Sequence, residues 1–283
     1  MHYMIVLVAV VLFGIQFLCD SRYSEVGGHG LTAIMFFMLG GSIVNLPIML
    51  ALNGFRLEFT PFTLLMATIA VLNGMACSIC SLKSLARINL SLYSIFSMLG
   101  GMLLPFVFGI FFYDEPFTIG KALCFILITV SLVFTFKKGE DKGGWIYYMG
   151  IFVFNGLSGV ISKIYTSAAF PKATEAGYSI LSSLVAIVIA GVILLLFGKK
   201  KDLPAPRAYG FILGSGGLNK VANYLLLLSL AQLPASVQYP MVTGGVMIVS
   251  TVIALFTHKK PGKRELFSVL FAFAGILAVT LIP

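Results

Sequence analysis

Apolar residues run through this chain in blocks of about twenty, separated by short polar breaks. The blocks predict ten helices, at 2–19, 29–52, 60–86, 89–112, 117–136, 144–168, 173–197, 207–231, 234–257 and 265–282. An apolar run of about 18 residues or more, wound as helix, spans a hydrocarbon core of roughly 30 Å. Barrel strands need only about ten residues in alternation, so these blocks are too long for strands. Backbone groups in lipid must satisfy one another, which leaves helices. The expected fold is therefore an all-α integral membrane protein with ten transmembrane helices, and no break has room for a soluble domain. The opening "MHYMIVLVAVVLFGIQF" lacks the basic start and small-residue cleavage site of a secretory signal. It reads as a first membrane helix that stays.

The blocks are not independent. "SLARINLS" at Ser84–Ser91 returns as "SLAQLPAS" at Ser229–Ser236, a shift of 145 residues in a chain of 283. The same shift carries Gly100 onto Gly245, Met102 onto Met247, Phe111 onto Phe256 and Pro116 onto Pro261. One constant shift of half the chain is the trace a duplication leaves. The polar break "KKGEDKGG" divides the ten helices into five and five, giving two repeats at residues 1–137 and 143–283. Five is odd, so the second repeat must enter the membrane from the opposite side. Inverted repeats of this kind are common in secondary transporters, with the substrate site at their interface near the midplane.

Composition sharpens the solvent. The chain is 59% hydrophobic and 10% charged, against roughly 25% charged in a soluble domain, and its mean hydropathy is +1.03. A net charge of +9 would suit a nucleic-acid binder, but the cations lie in short runs between apolar blocks, where they set topology. The loops after helices 1, 3, 5, 7 and 9 hold thirteen Lys and Arg; the other side holds three, Arg56, Lys121 and Lys172. That asymmetry predicts both termini outside the cytoplasm. Cys77 and Cys80 form a C-x-x-C, but no histidine or further cysteine is near enough to complete a zinc site. No disulfide framework, metal or cofactor is expected.

The opening "FGIQF" followed by Arg22 resembles the Trp-Gly-x-Asn-Phe…Lys opening of EamA-like, ten-helix members of the drug/metabolite transporter superfamily. "SLARINLSLYSIFSMLGGMLLPFVFGIFFYDEPFT" resembles that family's passage from helix 3 into helix 4, with Glu115 and Thr118 in its Gly-Glu-x-x-Thr-like ending. The second half repeats the passage as "SLAQLPASVQYPMVTGGVMIVSTVIALFTHKKPGKRE". Phe13 stands where the family often has Trp, and Lys260 where an acid is expected. Ten-helix relatives usually keep their termini in the cytoplasm, opposite to the charge count. The resemblance implies a multi-pass transporter of the cell (inner or plasma) membrane, as a monomer or homodimer. It further implies a carrier of small organic solutes by alternating access, its cavity lined by helices 1, 3, 4, 6, 8 and 9.

Candidate chemistry lies where polar side chains sit deep in apolar blocks. Lys220, in "GGLNKVANYLL", falls near the middle of helix 8, about 15 Å from either end. A lysine stem reaches ~6 Å toward an interface, so its amine is held at a depth where ionisable groups usually serve function. The plainer reading is a packing lysine bonded to neighbouring carbonyls. Asn223 and Asn219 stand near it at helical spacing, and the three together suit a carboxylate, a phosphate or a polar neutral solute. Lys83 lies a turn from the end of helix 3 beside Arg87 and is expected to snorkel; Lys163 is intermediate. Further candidates on the cavity helices are Gln16, Asn73, Tyr93, Asn155, Ser158, Gln238 and Tyr239, each of which could instead simply tie helices together. Tyr93 and Gln238 are equivalent at the shift of 145 and should face one another.

None of the ten acids lies deep in an expected helix, and helix 1 offers only Gln16 at depth. The related small multidrug resistance family binds cations and protons through a buried glutamate in its first helix. On that reading a lipophilic-cation exporter is disfavoured, and an anionic, zwitterionic or neutral solute such as an amino acid preferred. An intramembrane enzyme lacks its paired aspartates, Ser/His pair or His-Glu-x-x-His. A non-transporting scaffold or sensor on a transporter fold is the remaining alternative.

Overall fold

The computed structural model describes residues 2–88, 90–112, 118–135, 144–230, 235–257 and 260–282. Among them run ten α-helices: α1 (His2–Val26), α2 (Leu31–Leu52), α3 (Pro61–Leu85), α4 (Leu90–Phe112), α5 (Ile119–Thr135), α6 (Trp145–Ser167), α7 (Glu175–Phe197), α8 (Tyr209–Leu230), α9 (Ala235–Leu255) and α10 (Lys263–Leu281). Two single turns of 3-10 helix, Lys200–Asp202 and Pro206–Ala208, link α7 to α8, and no strand occurs among the described residues. Among the described residues, six spans are long and apolar enough to cross a membrane: Tyr3–Val26, Leu31–Leu52, Pro61–Leu85, Leu92–Phe112, Trp145–Ser167 and Glu175–Phe197. The chain is an all-α protein with the helices of a multi-pass membrane protein.

Local chemistry sets the helix starts. Thr60 caps α3 by accepting from the Thr63 N–H at 3.1 Å, with Pro61 in the first turn, where its missing N–H costs nothing. Thr174 caps α7 through the Gly177 N–H at 3.1 Å. Glu265 reaches back from the first turn of α10 to the Gly262 N–H at 3.3 Å. Gly28, at φ +87°, makes the turn between α1 and α2 that a side chain would strain.

One boundary differs from expectation with consequences for the site. Helix 1 does not stop at 19 but continues to Val26. Its buried positions explain why: Val6, Ala9, Val10, Phe13, Gln16, Phe17, Asp20, Tyr23 and Ser24 recur every three or four residues, one unbroken helical stripe. The polar segment "CDSRYSEV" is thus the last two turns of a helix whose inner face merely changes from apolar to polar. Arg22 and Glu25, on the outer face, pair with each other at 3.1 Å.

Contacts between helices fix their directions. On α1 and α8, Asp20 meets Ser215 and Gln16 meets Asn219, so these two helices are antiparallel. On α1 and α9, Gly14 lies against Val249 and Gly245 against Val10, so these two are parallel. On α2 and α8, Gly40 lies against Ile212 and Gly217 against Val44 and Ile48, again parallel. Antiparallel pairs are α2 with α7 (Thr32 to Lys199, Asn45 to Ser179), α3 with α6 (Thr63 to Tyr165, Asn73 to Ser158) and α5 with α10 (Cys124 to Gly275, Ser131 to Ser268). The α3 and α7 starts meet, Ala173 N–H donating to Thr63 Oγ1 at 3.0 Å. The α4–α6 contact runs parallel, Gly101 on Asn155 and Pro105 on Gly159. Together these place α1, α3, α7 and α9 in one direction and α2, α4, α6 and α8 in the other.

Close backbone approach depends on glycine at two crossings. A methyl at Gly216 would come within 2.7 Å of Gly41 Cα, where α8 crosses α2, and one at Gly100 would overlap the Phe152 carbonyl oxygen, where α4 meets α6. Pro47 and Pro105 lie inside α2 and α4 as expected. All four cysteines are free thiols.

Candidate functional site

The extension of α1 brings in a residue that the sequence reading placed outside the membrane helices. Asp20 is 5% exposed, inside the Tyr3–Val26 span and about 9 Å from the end of α1. The expectation that no acid lies deep in a helix is therefore overturned, and with it the argument that a cationic solute is disfavoured. The reason is the stripe described above: a polar residue at a buried helical position reads as a loop residue when the count of apolar neighbours falls.

The carboxylate is held by neutral donors only. Gln16 Nε2, one turn earlier on α1, donates to Asp20 Oδ2, and Ser215 Oγ, from α8, donates to Asp20 Oδ1 at 2.5 Å. Gln16 and Ser215 are themselves 6% and 4% exposed. No Lys, Arg or His pairs with Asp20 among the described residues.

From Gln16 the bonding continues outward along α8. Asn219 Nδ2 donates to Gln16 Oε1 at 3.4 Å, and Asn223 Nδ2 donates to Asn219 Oδ1 at 3.2 Å and to the Asn219 carbonyl at 2.7 Å. Ser215, Asn219 and Asn223 recur at intervals of four, so one face of α8 presents all three to α1. Every donor in this ladder points toward Asp20, from exposed Asn223 down to the buried acid. Aligned bonds of this kind polarise one another and favour negative charge at their end.

Two further helices lie beside this cluster. Asp20 lies within electrostatic range of Cys77 on α3 and Tyr93 on α4. Tyr93 is buried, its hydroxyl 3.1 Å from Ser81 Oγ on α3 and its ring edge-on to Phe17 at 5.0 Å. The polar cluster thus draws on α1, α3, α4 and α8, four of the six helices named for the cavity.

The other sequence candidates take different places. Lys220 stands eleven residues into α8 (Tyr209–Leu230), half-buried, with no hydrogen bond or ion pair among the described residues. Asn73 Nδ2 donates to the Phe154 carbonyl at 2.9 Å and Ser158 Oγ at 2.8 Å, tying α3 to α6. Asn155 Nδ2 donates to the Ser97 carbonyl at 2.6 Å, tying α6 to α4. Lys83 and Arg87 both sit over the Tyr147 ring, at 5.1 and 5.3 Å, at the end of α3. Lys163 is half-buried on α6. The side chains of Gln238 and Tyr239 lie outside the described residues, so the expected Tyr93–Gln238 pairing does too. Asp20, Ser215 and Ser81 are the members of the cluster that sequence reasoning missed; the spacing of four from Gln16 to Asp20 and from Ser215 to Asn219 was the available signal.

No family model matches the chain, and no curated protein matches its sequence. A solved structure, described only as the crystal structure of a protein, superposes with a TM-score of 0.64 at 18% identity, over 99% of this chain and 96% of its own. At that identity the likeness is one of fold.

Proposed function

We propose that this chain is a secondary active transporter of a small organic metabolite, working by alternating access, built from two inverted five-helix repeats over residues 1–137 and 143–283 and similar to the EamA-like drug/metabolite transporters. The observation that carries the reading is the way helix pairs recur under a shift of five. The α1–α8 pair corresponds to α6–α3, α1–α9 to α6–α4 and α2–α8 to α7–α3, while α2–α7, α4–α9 and α5–α10 map onto themselves. Contact directions support the inversion, since α1 and α6 run oppositely. Two side-chain bonds recur as well. Tyr23 donates to the Ala33 carbonyl and Tyr165 to the Ala173 carbonyl, both at 2.6 Å, each joining the end of the repeat's first helix to the start of its second. A pseudo-twofold bundle of this kind lets the two halves exchange conformations about a central site.

At that site Lys220 supplies a positive group without a protein partner among the described residues, and the α1–α8 ladder supplies amides and a carboxylate. The set suits an anionic, zwitterionic or neutral solute such as an amino acid. Asp20 specifically favours a second reading, efflux of an organic cation. The C-terminal ends of α1, α3, α7 and α9 share one face, which gathers Arg22, Arg87, Lys199, Lys200, Lys201, Lys260 and Lys263 there; the positive-inside rule makes that face cytoplasmic and puts both termini outside.

Counterflow in proteoliposomes, with labelled amino acids, organic acids, sugars and quaternary ammonium compounds, tests the reading. Exchange of an acid, zwitterion or neutral solute that is lost in Lys220→Gln is expected. Exchange confined to the ammonium compounds selects the second reading, and exchange of nothing in the panel leaves a scaffold or sensor. A Lys220→Gln protein with wild-type exchange removes that lysine from the site.

A further inference from the structure

We propose that Asp20 is a proton-exchange site of this carrier, and that Ser215 on α8 reports its protonation by reversing one hydrogen bond across the α1–α8 seam. The inference rests on the transporter reading for its purpose, but not for its test.

The surroundings of Asp20 set the problem. A carboxylate withdrawn from water needs a cation, a proton or several strong donors to offset the loss of hydration. The described groups around it come from α1, α3, α4 and α8. From α3 comes the Cys77 thiol, and from α4 the Tyr93 hydroxyl. From α8 come Ser215 and Asn219, which do not ionise, while the ionisable residues of that helix, Tyr209, Lys220 and Tyr224, show no interaction with the carboxylate. The sole titratable residue of α9 is Tyr239. On α1 itself the neighbours are Cys19 and Tyr23, while Arg22 is turned outward to Glu25. Arg207, on the turn before α8, is exposed and shows no interaction with the carboxylate. No cation offsets Asp20 among these groups, and two neutral donors cannot do so alone. A proton can, because it needs no room beyond the oxygen that receives it.

The two partners are not equivalent in this respect. An ionised carboxylate only accepts hydrogen bonds, whereas a protonated one has an O–H to donate. Gln16 Nε2 only donates, so it suits Asp20 Oδ2 in either state. Ser215 Oγ both donates and accepts. When a proton adds to Oδ1, the new O–H bond donates to Ser215 Oγ, and the serine hydroxyl turns to another acceptor. The carbonyl one turn earlier on α8, that of Phe211, is the one helical serines commonly use. When the proton leaves to water, the original bond returns. Charge balances at each step: one proton is gained and one carboxylate charge is lost.

This gives the transport cycle a coupling step. With Asp20 ionised, donors on both helices grip it and the α1–α8 seam is drawn together. With Asp20 neutral, charge-assisted bonds become ordinary ones, at about half the strength, and the seam is loosened.

Infrared difference spectroscopy of the full chain in lipid nanodiscs, cycled between acidic and alkaline buffer, reads the proton directly. The wild type is expected to show a protonated-carboxyl C=O band that is absent in Asp20→Asn. In Ser215→Ala that band persists but moves to the higher frequency of a carboxyl lacking a hydrogen-bond acceptor. Circular dichroism and gel filtration verify that each variant is folded; should Asp20→Asn fail them, Asp20→Glu must shift the band. If the folded Asp20→Asn protein keeps every carboxyl band of the wild type, the proposal is overturned. If the band is lost in Asp20→Asn but is unmoved in Ser215→Ala, the serine switch is overturned. Because the band is read without substrate, it appears whether or not the counterflow panel finds a transported solute.

Discussion

The α1–α8 and α3–α6 pairs correspond to one another under the shift of five, run antiparallel in the same way, and are held by opposite kinds of chemistry. Across α3–α6 the bonds join amide, carbonyl and hydroxyl groups, with no carboxylate or amine among them. Asn73 reaches a backbone carbonyl and a serine, and the Thr63 and Tyr165 hydroxyls lie 3.4 Å apart. Across α1–α8 the bonds run side chain to side chain and end on an acid. The first arrangement is a lock, satisfied in one geometry. The second is a ladder whose end can gain or lose charge, so its preferred geometry changes with it. Two halves of like architecture thus need not share the work equally: one seam holds while its counterpart responds.

The largest test of that contrast is Asp20→Asn. It keeps a polar side chain of the same size between Gln16 and Ser215 but removes the charge. Proteoliposome transport is expected to fall at least tenfold, the factor that ~1.4 kcal/mol represents, with no loss of thermal stability. A variant that unfolds instead would make the α1–α8 seam structural like its counterpart. Asn73→Leu should behave in the opposite manner. It strips the donor from the Phe154 carbonyl and Ser158, and a side-chain bond within a membrane bundle is worth roughly 0.6 kcal/mol and at most about 1.7. The melting temperature should drop, with transport per folded molecule unchanged; a selective loss of transport would show α3–α6 to be active as well.

Asn223→Ala sharpens the comparison at the ladder's open end. Asn223 is exposed, so stability should move by less than ~0.5 kcal/mol, while the initial rate of transport falls several-fold less than in Asp20→Asn. An effect as large as that of Asp20→Asn would place the essential group at the mouth and not at the acid. The smallest effect is expected at Glu58, in the α2–α3 loop, which accepts from the Thr174 N–H at 2.6 Å. That backbone bond, ahead of smaller contributions from Thr174, Asn53 and Arg56, holds its carboxyl below the usual range. The folded value is the depressed one, so the stabilisation is present above the ordinary carboxylate range and is lost as pH falls through the folded value. Melting curves of Glu58→Gln should therefore match the wild type in acid and fall slightly below it at neutral pH. The reverse ordering would show that the bond does not form.

Much of the bundle was legible in the sequence because lipid enforces a simple rule: twenty apolar residues make a helix. The ten blocks became ten helices, and Lys220 fell mid-helix as the spacing required. What failed was the end of α1. A window that counts apolar residues loses the helix at Cys19, since Asp20, Ser21, Arg22, Ser24 and Glu25 lower its average. Position along the turn, not average polarity, decides burial, and Tyr23 and Ser24 continue the stripe begun at Val6. Asn73 and Asn155 were legible as amides deep in apolar blocks that could tie helices together, but their partners were not, because these are backbone carbonyls 81 and 58 residues away. Such pairings follow from packing that no local pattern encodes. Ser215 stands among the glycines of "GSGG", where small side chains suit close helix crossing and nothing local shows which partner its hydroxyl takes.

Those glycines have a mechanical corollary. Where α8 passes α2, Gly216 faces Gly41 with no side chain between them, and on its flank Ser215 grips Asp20. A rod resting on so smooth a bearing is held there chiefly by its bonds to α1, of which the one to Asp20 is the one a proton can weaken. Any side chain added at Gly216 would jam that bearing, leaving the proton able to bind and the helix unable to answer.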